Sequence, residues 1–240
     1  MEPLAFISDL HANPSAVEAV LADIGVRGIE RVFCLGDLVG YGPCPNEVID
    51  LVREGGIASI AGNYDDGVAF ERGGCGCYYP DEEARRIGDA SYAFTVAAVT
   101  PARKEWLRSL PRELRVTMAG LELHLVHGSP RRINEYLLKA RDRRTFLRLA
   151  DAEDADVLLF GHTHEQWHRR FGDVLFVNVG SVGRPKDGDP RAAYTVLSST
   201  AGGGPVVDFV RIAYDVEGTV RAVLAAGLSE TLADAFRSGH

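Results

Sequence analysis

The stretch LAFISDLHANPSAVEAVLADIG, residues 4–25, sets the pattern of the fold. It opens with a short apolar run from Leu4 to Ile7, which is typical of a buried strand. Asn13 and Pro14 then indicate a helix start, because asparagine caps a first turn and proline fits the first helical position. Apolar residues follow at helical spacing as far as Gly25. The stretch therefore predicts a strand, a short polar loop and a helix.

The same alternation continues along the chain and predicts an α/β fold. Strands alternating with helices favour βαβ units with right-handed crossovers. In the first half the patterns predict a strand at residues 31–35, a helix at 45–54 and a strand at 57–61. Further strands are predicted near residues 114–118, 121–126, 157–160, 174–177, 193–197 and 206–214, with helices near 142–151 and within 218–238. We expect two sheets of mixed direction with helices outside them.

The middle of the chain breaks this alternation. Residues 66–80 are rich in glycine, cysteine and tyrosine, and the residues after them predict two helices that end near 110. We interpret residues from about 66 to 112 as a helical insertion or cap. A chain of 240 residues suits one domain with such an insertion, so we expect a single domain spanning residues 1–240.

Composition narrows the class of protein. The formal net charge of −8 argues against a general nucleic-acid surface, because phosphate backbones require clustered lysine and arginine. The sequence has no apolar run long enough for a membrane helix and no pattern typical of a signal peptide, so we expect a cytoplasmic protein. The four cysteines lack disulfide or zinc-finger spacing, and we expect reduced thiols. Cys75-Gly-Cys77 remains open as half of a metal or redox site.

Six apolar runs end at residues that can bind a metal ion or a phosphate, usually beside a glycine. In open α/β sheets, sites form outside the carboxyl ends of the strands, so these residues are expected to meet in one pocket. The candidates are Asp9, His11, Asp37, Asn63, His127, His162 and His164. If the chain is extended at Asp9-Leu-His11 and at His162-Thr-His164, each pair faces one side.

The chemistry of this set favours divalent cations. Carboxylate, amide and imidazole ligands suit manganese, our first choice, with iron, zinc, nickel or magnesium as alternatives. Seven ligands are too many for one tetrahedral ion with an open position, whereas they suit two ions that share a carboxylate. Each piece alone is weak, since Gly-Asp after a strand is also a common turn. The combination carries the prediction, because four of the seven histidines fall at strand ends.

The motifs resemble those of calcineurin-like metallophosphoesterases, especially the small bacterial and archaeal phosphodiesterase type. The family pattern is D-x-H, G-D-x-x-x-x-G, G-N-H-[DE], a lone H and G-H-x-H, in that order. In this chain it stands as Asp9-Leu-His11, Gly36-Asp37 with Gly42, Gly62-Asn63-Tyr64-Asp65, His127 and Gly161-His162-Thr-His164. The resemblance implies a four-layer α-β-β-α sandwich. It also implies Asp9, His11 and His164 on one metal ion, Asn63, His127 and His162 on a second, and Asp37 bridging them.

The resemblance further implies hydrolysis of phosphoesters by in-line attack of a hydroxide that bridges the two ions. We therefore predict catalytic roles for Asp37, Asn63, Tyr64 and Asp65. Tyr64 departs from the family pattern, which has a histidine that contacts phosphate and protonates the leaving oxygen. With an unperturbed pKa near 10, tyrosine is a poor proton source at neutral pH, so good leaving groups are favoured. The alternative is that Tyr64 only packs against the insertion.

Substrate contacts are predicted from four residues: Asn63, Tyr64, Tyr41 and Arg184. The expected substrate is a small phosphorylated compound, either a phosphodiester or a nucleotide-like molecule. Two alternative activities use the same site, namely hydrolysis of phosphomonoesters or of dinucleoside polyphosphates. A third alternative is a non-catalytic, metal-binding scaffold for protein interactions. His124 lies in an alternating strand and is predicted to be structural.

Overall fold

A computed structural model describes residues 2–200, 202 and 204–240, and within them the chain forms ten strands and eight helices. The strands are β1 (Leu4–Ile7), β2 (Arg31–Cys34), β3 (Ala58–Ser59), β4 (Glu113–Met118), β5 (Leu121–Val126), β6 (Val157–Phe160), β7 (Gln166–Phe171), β8 (Val174–Val179), β9 (Ala192–Ser199) and β10 (Pro205–Ile212). The helices are α1 (Pro14–Val26), α2 (Pro45–Glu54), α3 (Asn63–Ala69), α4 (Glu82–Ala98), α5 (Pro101–Ser109), α6 (Arg143–Asp151), α7 (Val216–Ala225) and α8 (Glu230–Ser238).

The strands form two mixed five-stranded sheets. The first sheet has the order β10-β9-β1-β2-β3, and the second has the order β4-β5-β6-β8-β7. At the centre of each sheet the strands run parallel, as β1 does with β2 and β5 does with β6. Antiparallel neighbours complete both sheets, because β1 pairs with β9 and β8 pairs with β7. This architecture confirms the predicted α/β sandwich of two mixed sheets.

Alternation of side chains along β1 shows how the layers pack. Leu4 and Phe6 join the apolar core between the two sheets, whereas Ala5 and Ile7 join the core under the helices. Successive residues of a strand point to opposite faces, so a buried strand contributes to both cores. On the far side of the second sheet, Phe146 of α6 packs against the outward side chains. The result is helix, sheet, sheet, helix, with the parallel strands in the middle.

Two elements, α3 and β7, are not predicted by the sequence patterns, each for a local reason. Helix α3 begins at Asn63, with three residues between it and the end of β3, in a stretch for which the sequence predicted no helix. The Asp65 carboxylate stabilises its first turn by accepting a hydrogen bond from the Gly62 N–H at 2.9 Å. Strand β7 carries charged and exposed residues between Trp167 and Phe171, so its apolar alternation is weak.

Helices α4 and α5 lie between α3 and β4, in the region interpreted as an insertion. Helix α4 contacts the loop that follows β2, and helix α5 contacts helix α2. Ser91 of α4 accepts a hydrogen bond from the Tyr41 N–H at 2.7 Å, and Arg103 of α5 forms an ion pair with Asp50 of α2. The division into a single domain with an insertion stays a prediction. Among the described residues, no helix is both long and apolar enough to cross a membrane.

Candidate active site

The seven predicted ligands meet at one edge of the paired sheets. Each follows a parallel strand: β1, β2 and β3 of the first sheet, and β5 and β6 of the second. All seven side chains are buried, and none is more than 3% exposed. The ligands in question are Asp9, His11, Asp37, Asn63, His127, His162 and His164. The strand ends therefore deliver their polar residues to one interior cluster, as the sequence predicts.

The backbone of this cluster is left-handed rather than extended. Five of the ligands have positive φ: Asp9 at 52°, His11 at 44°, Asp37 at 54°, His162 at 66° and His164 at 62°. The expectation of extended Asp-x-His and His-x-His segments is therefore wrong. Non-glycine residues adopt this conformation at a cost of about 1–2 kcal/mol each, and such residues cluster at functional sites. These left-handed turns direct the side chains of the ligands into the buried cluster.

Asp9, His11 and His164 form what we call the first set, whose ligand atoms lie within 4.8 Å of one another. His11 and His164 each direct Nδ1 to a backbone carbonyl, of Val39 and Arg184 respectively. Donation from Nδ1 leaves Nε2 as the free lone pair on each ring, which is the state that binds metals. The two Nε2 atoms face each other at 3.1 Å, and the Asp9 carboxylate lies 3.2 Å from that of His164.

Asp37, His127 and His162 form the second set, again with ligand atoms within 4.8 Å of one another. His127 directs Nδ1 to the Leu35 carbonyl at 2.7 Å, which frees its Nε2 in the same way. The Asn63 amide oxygen lies 3.0 Å from this Nε2, so it adds a fourth oxygen or nitrogen donor. The second set therefore consists of Asp37, Asn63, His127 and His162.

One oxygen of Asp37 lies between the two sets. Its Oδ2 is 3.4 Å from Nε2 of His127 in the second set and 3.9 Å from Nε2 of His11 in the first. The other oxygen, Oδ1, accepts a hydrogen bond from the Tyr64 N–H at 2.8 Å, which fixes the carboxylate. Asp37 thus occupies the position that a carboxylate shared by two cations would need.

Buried atoms without hydrogen-bond partners indicate that the cluster is shaped for cations. Among the described residues, Oδ1 of Asp9 and Nε2 of His162 have none. Polar atoms buried this deeply normally have a partner, and both point into the cluster. A carboxylate oxygen and an imidazole nitrogen are also ordinary ligands of divalent cations. The residues present therefore fit two divalent metal ions.

The protonation states support the same conclusion. Burial, together with the neighbouring His164, lowers the pKa of His11 to about 3, and burial lowers the pKa of His162 and His164 well below its usual value. These three rings are therefore neutral at physiological pH, as metal ligation requires. Burial on its own lowers the pKa of His127, but the Asp37 carboxylate raises it to about 9. A cation held beside Asp37 would take the place of that proton.

Two glycines are required by the close approach of the loops. A Cβ on Gly62 would lie 2.1 Å from Oδ1 of Asp37, and one on Gly161 would lie 2.5 Å from Oδ2 of Asp9. Both distances are far inside van der Waals contact. Glycine beside a ligand, which the sequence repeats at several strand ends, therefore serves to let the loops approach the carboxylates.

Asp65 and Tyr64, both predicted to be catalytic, occupy supporting positions. Asp65 accepts hydrogen bonds from the N–H groups of Leu38 at 2.9 Å and Gly62 at 2.9 Å, so it braces the loop that carries Asp37. Tyr64 is fully buried, with its ring 5.6 Å from that of His11, and burial raises its pKa well above the usual value. These contacts favour packing for Tyr64 and bracing for Asp65, and their catalytic roles stay predictions.

The predicted substrate residues Tyr41 and Arg184 lie beside the first set. The Tyr41 ring packs edge-on against His11 with ring centres 4.9 Å apart, and the Arg184 guanidinium lies over the Tyr41 ring at 4.4 Å. Both line a cleft of about 410 Å³. Its remaining walls come from the insertion, from α8 and from the loops around Tyr136 and Lys186.

Several neighbours of the cluster were not among the predicted site residues. Tyr136 stacks on His162 with ring centres 4.0 Å apart, and no pattern around it signals this. Lys186 lies in the cleft, where burial and then the adjacent Arg184 lower its pKa to about 8. His124 is held outside the cluster by Glu153 at 2.8 Å and Glu113 at 3.1 Å, in keeping with a structural role.

Residues 73–77, which we call the glycine–cysteine segment, lie over the second set. The Asn63 side-chain N–H₂ donates hydrogen bonds to the Cys75 carbonyl at 3.1 Å and to Cys77 Sγ at 3.2 Å. An amide held by its nitrogen presents its oxygen in the opposite direction, towards His127. The sequence singled out the two cysteines but gave no sign of this contact.

Comparison with known proteins identifies the family. The model of the calcineurin-like phosphoesterase superfamily domain matches residues 3–202, which is most of the 240-residue chain. The chain therefore belongs to the calcineurin-like phosphoesterase superfamily, as the motifs predict. Together with the two ligand sets, this membership makes it a metal-dependent phosphoesterase, and so a hydrolase.

Three relatives extend the likeness, two of them over nearly the whole chain. The crystal structure of a metallophosphoesterase from Sphaerobacter thermophilus is similar at 30% identity and a TM-score of 0.79, covering 100% of this chain and 99% of that one. An uncharacterised protein of Methanocaldococcus jannaschii is 29% identical over 254 residues, 99% of this chain and 98% of that protein. Phosphodiesterase YfcE of Escherichia coli is 27% identical over 199 residues, 83% of this chain and 89% of that protein.

Proposed function

We propose that this member of the calcineurin-like phosphoesterase superfamily hydrolyses phosphodiesters and nucleotide-like phosphoesters at a centre that holds two divalent cations, manganese by preference. The observation that carries the proposal is the position of Asp37 Oδ2 between the two sets. A carboxylate in this position would bring two cations close together, which is the arrangement used for in-line displacement at phosphorus. The name of the Escherichia coli relative, a phosphodiesterase, supports the substrate class.

The assignment of ligands follows the geometry. Asp9, His11 and His164 would hold one cation; Asn63, His127 and His162 would hold the other, and Asp37 would contact both. Bound cations of this kind lower the pKa of water and neutralise negative charge on a phosphoryl group. The carbonyls of Val39, Leu35 and Arg184 keep the imidazoles in the ligating tautomer. Asp65 holds the Asp37 loop in place, so the centre is organised before substrate binds.

The cleft beside the first set is proposed to hold the organic part of the substrate. Its walls include four tyrosines and two positively charged side chains. Its volume of about 410 Å³ falls in the range of small-molecule sites. Tyrosine rings provide flat faces for an aromatic base, and arginine binds phosphate oxygens in a bidentate manner. The cleft residues used in this argument are Tyr41, Tyr78, Tyr79, Tyr136, Arg184 and Lys186.

The acid chemistry favours substrates with good leaving groups. Burial raises the pKa of Tyr64 well above 10, so its hydroxyl holds its proton too tightly to donate it near neutral pH. Esters whose leaving group departs without protonation, such as nitrophenyl esters or pyrophosphate-type linkages, are then the best substrates.

The four free cysteines are compatible with a reducing compartment, so we place the protein in the cytoplasm.

A second candidate is hydrolysis of dinucleoside polyphosphates at the same centre. It is favoured by the two positively charged side chains of the cleft, Arg184 and Lys186. Arg184 Nε is buried with no hydrogen-bond partner among the described residues. A second phosphate group would provide that partner. Since dinucleoside polyphosphates carry both an aromatic base and additional phosphates, they would use the whole cleft.

The proposed function is tested with a panel of phosphoesters and metals. The purified full chain, freed of metal by a chelator, is supplied with manganese, nickel, magnesium or zinc and assayed on bis-(p-nitrophenyl) phosphate, cyclic nucleotides, phosphomonoesters and dinucleoside polyphosphates. We expect metal-dependent turnover, fastest on diesters or nucleotide-like compounds. Bound metal without turnover of any substrate would instead support the non-catalytic scaffold.

A further inference from the structure

The two thiols of the glycine–cysteine segment lie in contact with each other. Cys75 Sγ and Cys77 Sγ are 2.9 Å apart, although the chain has no disulfide. Gly76, between them, has a φ of +70°, and this left-handed turn brings residues i and i+2 to the same side. Asn134 holds the turn by donating a hydrogen bond from its side chain to the Gly76 carbonyl at 2.9 Å. The segment thus presents two thiols at the distance from which a disulfide closes.

The same two residues orient Asn63, one member of the second set. Cys77 Sγ and the Cys75 carbonyl together accept both hydrogen bonds from the Asn63 amide nitrogen. Asn63 has no other described acceptor for that nitrogen among the hydrogen bonds of the site. A covalent change at the thiols therefore alters the orientation of the Asn63 amide, whose oxygen faces His127.

We propose that Cys75 and Cys77 form a modification site, at which a hydroperoxide converts the two thiols into an intramolecular disulfide that changes the hold on Asn63. One thiol attacks the peroxide, so that the O–O bond breaks and a sulfenic acid and water, or an alcohol, are formed. The second thiol displaces water from the sulfenic sulfur, and the S–S bond forms. In total the two cysteines lose two protons and two electrons, and the peroxide is reduced.

Access and proximity select this pair over the other cysteines. Cys77 is half-buried and directly precedes Tyr78 of the cleft wall, so a molecule as small as hydrogen peroxide reaches it. Cys34 is buried inside the first sheet, and Cys44 is the N-cap residue of α2. An attack within the segment, across one residue, needs no rearrangement of the sheets.

The disulfide weakens the second set because the sulfurs have to move. A disulfide bond is about 2.0 Å long, so the two atoms approach by about 0.9 Å and Cys77 Sγ leaves its position opposite Asn63. Residues that orient a metal ligand typically affect affinity by about 10–100-fold when they are changed. We expect about a tenfold weaker second cation after oxidation. This consequence rests on the proposed function, whereas the disulfide itself does not.

The modification is tested by mass spectrometry on the full chain. The protein is reduced, freed of reductant, treated with hydrogen peroxide, alkylated and digested with trypsin. Both cysteines lie in the peptide GGCGCYYPDEEAR, residues 73–85, between Arg72 and Arg86. We expect this peptide to be unalkylated and about 2 mass units lighter than the dithiol, and to become alkylated twice after dithiothreitol. The peptide with Cys44 is expected to stay alkylated throughout.

Two variants and a metal titration complete the test. In Cys75→Ser and in Cys77→Ser the loss of two hydrogens is expected to disappear, whereas Cys44→Ser keeps it. A peptide 73–85 that remains a dithiol under peroxide, or that gains oxygen without closing, overturns the proposal. If the disulfide forms but manganese titration shows both cations bound as tightly as before, the link to Asn63 is overturned. Loss of turnover in the fully reduced protein would instead count against the proposed phosphoesterase function.

Discussion

The two candidate metal sets differ in what holds their ligands. Asp9, His11 and His164 of the first set are fixed by the sheet-edge loops, through backbone carbonyls and left-handed turns. The second set includes Asn63, whose amide is oriented by Cys75 and Cys77 from a segment outside both sheets. The first set is therefore a product of the sandwich itself. The second also depends on residues that the sandwich does not supply, and should respond more readily to changes there.

The largest effect is expected at Asp37, which is proposed to contact both cations. Replacing Asp37 by alanine (Asp37→Ala) removes the one oxygen that lies near His127 and His11 together. We expect a loss of activity of about 10³-fold or more, because removing one member of a catalytic unit costs about as much as removing several. Steady-state kinetics on bis-(p-nitrophenyl) phosphate measures it. As a matched control, Asp151→Ala changes an exposed carboxylate at the end of α6 and should leave activity unchanged. Full activity with both cations bound in Asp37→Ala would show that Asp37 is not shared by the two cations.

Close packing of the sheet edge predicts the next effect. Gly62→Ala places a Cβ 2.1 Å from Asp37 Oδ1, although the Gly62 backbone itself, at φ −89°, suits any residue. We expect the free energy of unfolding to fall by about 1–3 kcal/mol, as overpacking does elsewhere, and metal affinity to fall with it. Urea denaturation measures the change.

The matched control for that prediction is Gly25→Ala. Gly25 lies within α1, and nothing lies within 4 Å of the position where its Cβ would be. Alanine there is expected to raise stability by about 0.5–1 kcal/mol, through helix propensity alone. If Gly62→Ala changes the free energy of unfolding no more than Gly25→Ala does, close packing against Asp37 does not require glycine at position 62.

The difference between the two sets is tested most selectively at Cys77. Cys77→Ala removes one acceptor of the Asn63 amide and leaves the first set unchanged. We expect one of two manganese ions to bind about tenfold more weakly, the scale typical of residues that orient a ligand. Titration calorimetry resolves the two steps, with Cys44→Ala as the control. Equal weakening of both ions would show that the segment supports the whole edge rather than the second set.

The smallest effect is expected in the dependence of rate on the leaving group. Tyr64→His restores a side chain whose unperturbed pKa is near 6.5, at a position beside His11. We expect esters with poor leaving groups to gain about tenfold relative to nitrophenyl esters, because general acids contribute most to those. Rates over a series of substituted phenyl esters measure the ratio. With Tyr64→Phe, which cannot donate a proton, the ratio should stay as in the wild type; a large change there would mean that Tyr64 already acts as the acid.

The parallel strands and the ligands at their ends were predictable from the sequence. Apolar runs such as Leu4 to Ile7 and Val157 to Phe160 are strands within those bounds, since burial on both faces requires continuous apolar residues. Asp9 and His162 each stand two residues after the end of such a run. Their convergence was predictable because parallel strands end at one edge of a sheet.

The conformation of that edge was not predictable from residue patterns. Asp9 and His162 have left-handed backbones, which local propensity disfavours and tertiary hydrogen bonds impose. The stacking of Tyr136 on His162 and the hold of Cys77 on Asn63 join residues far apart in sequence. Helix α3 was missed because Gly67 weakens its pattern, whereas its stability comes from the capping carboxylate of Asp65.

The central claim is that two cations share Asp37 at the meeting point of the sheets. Electron paramagnetic resonance of the full chain loaded with manganese, combined with metal analysis, tests it most directly. We predict two manganese ions per chain with an exchange-coupled signal in the wild type, and the loss of that coupling in Asp37→Ala. A single bound ion, or two ions whose spectra are those of isolated manganese in the wild type, would contradict the account.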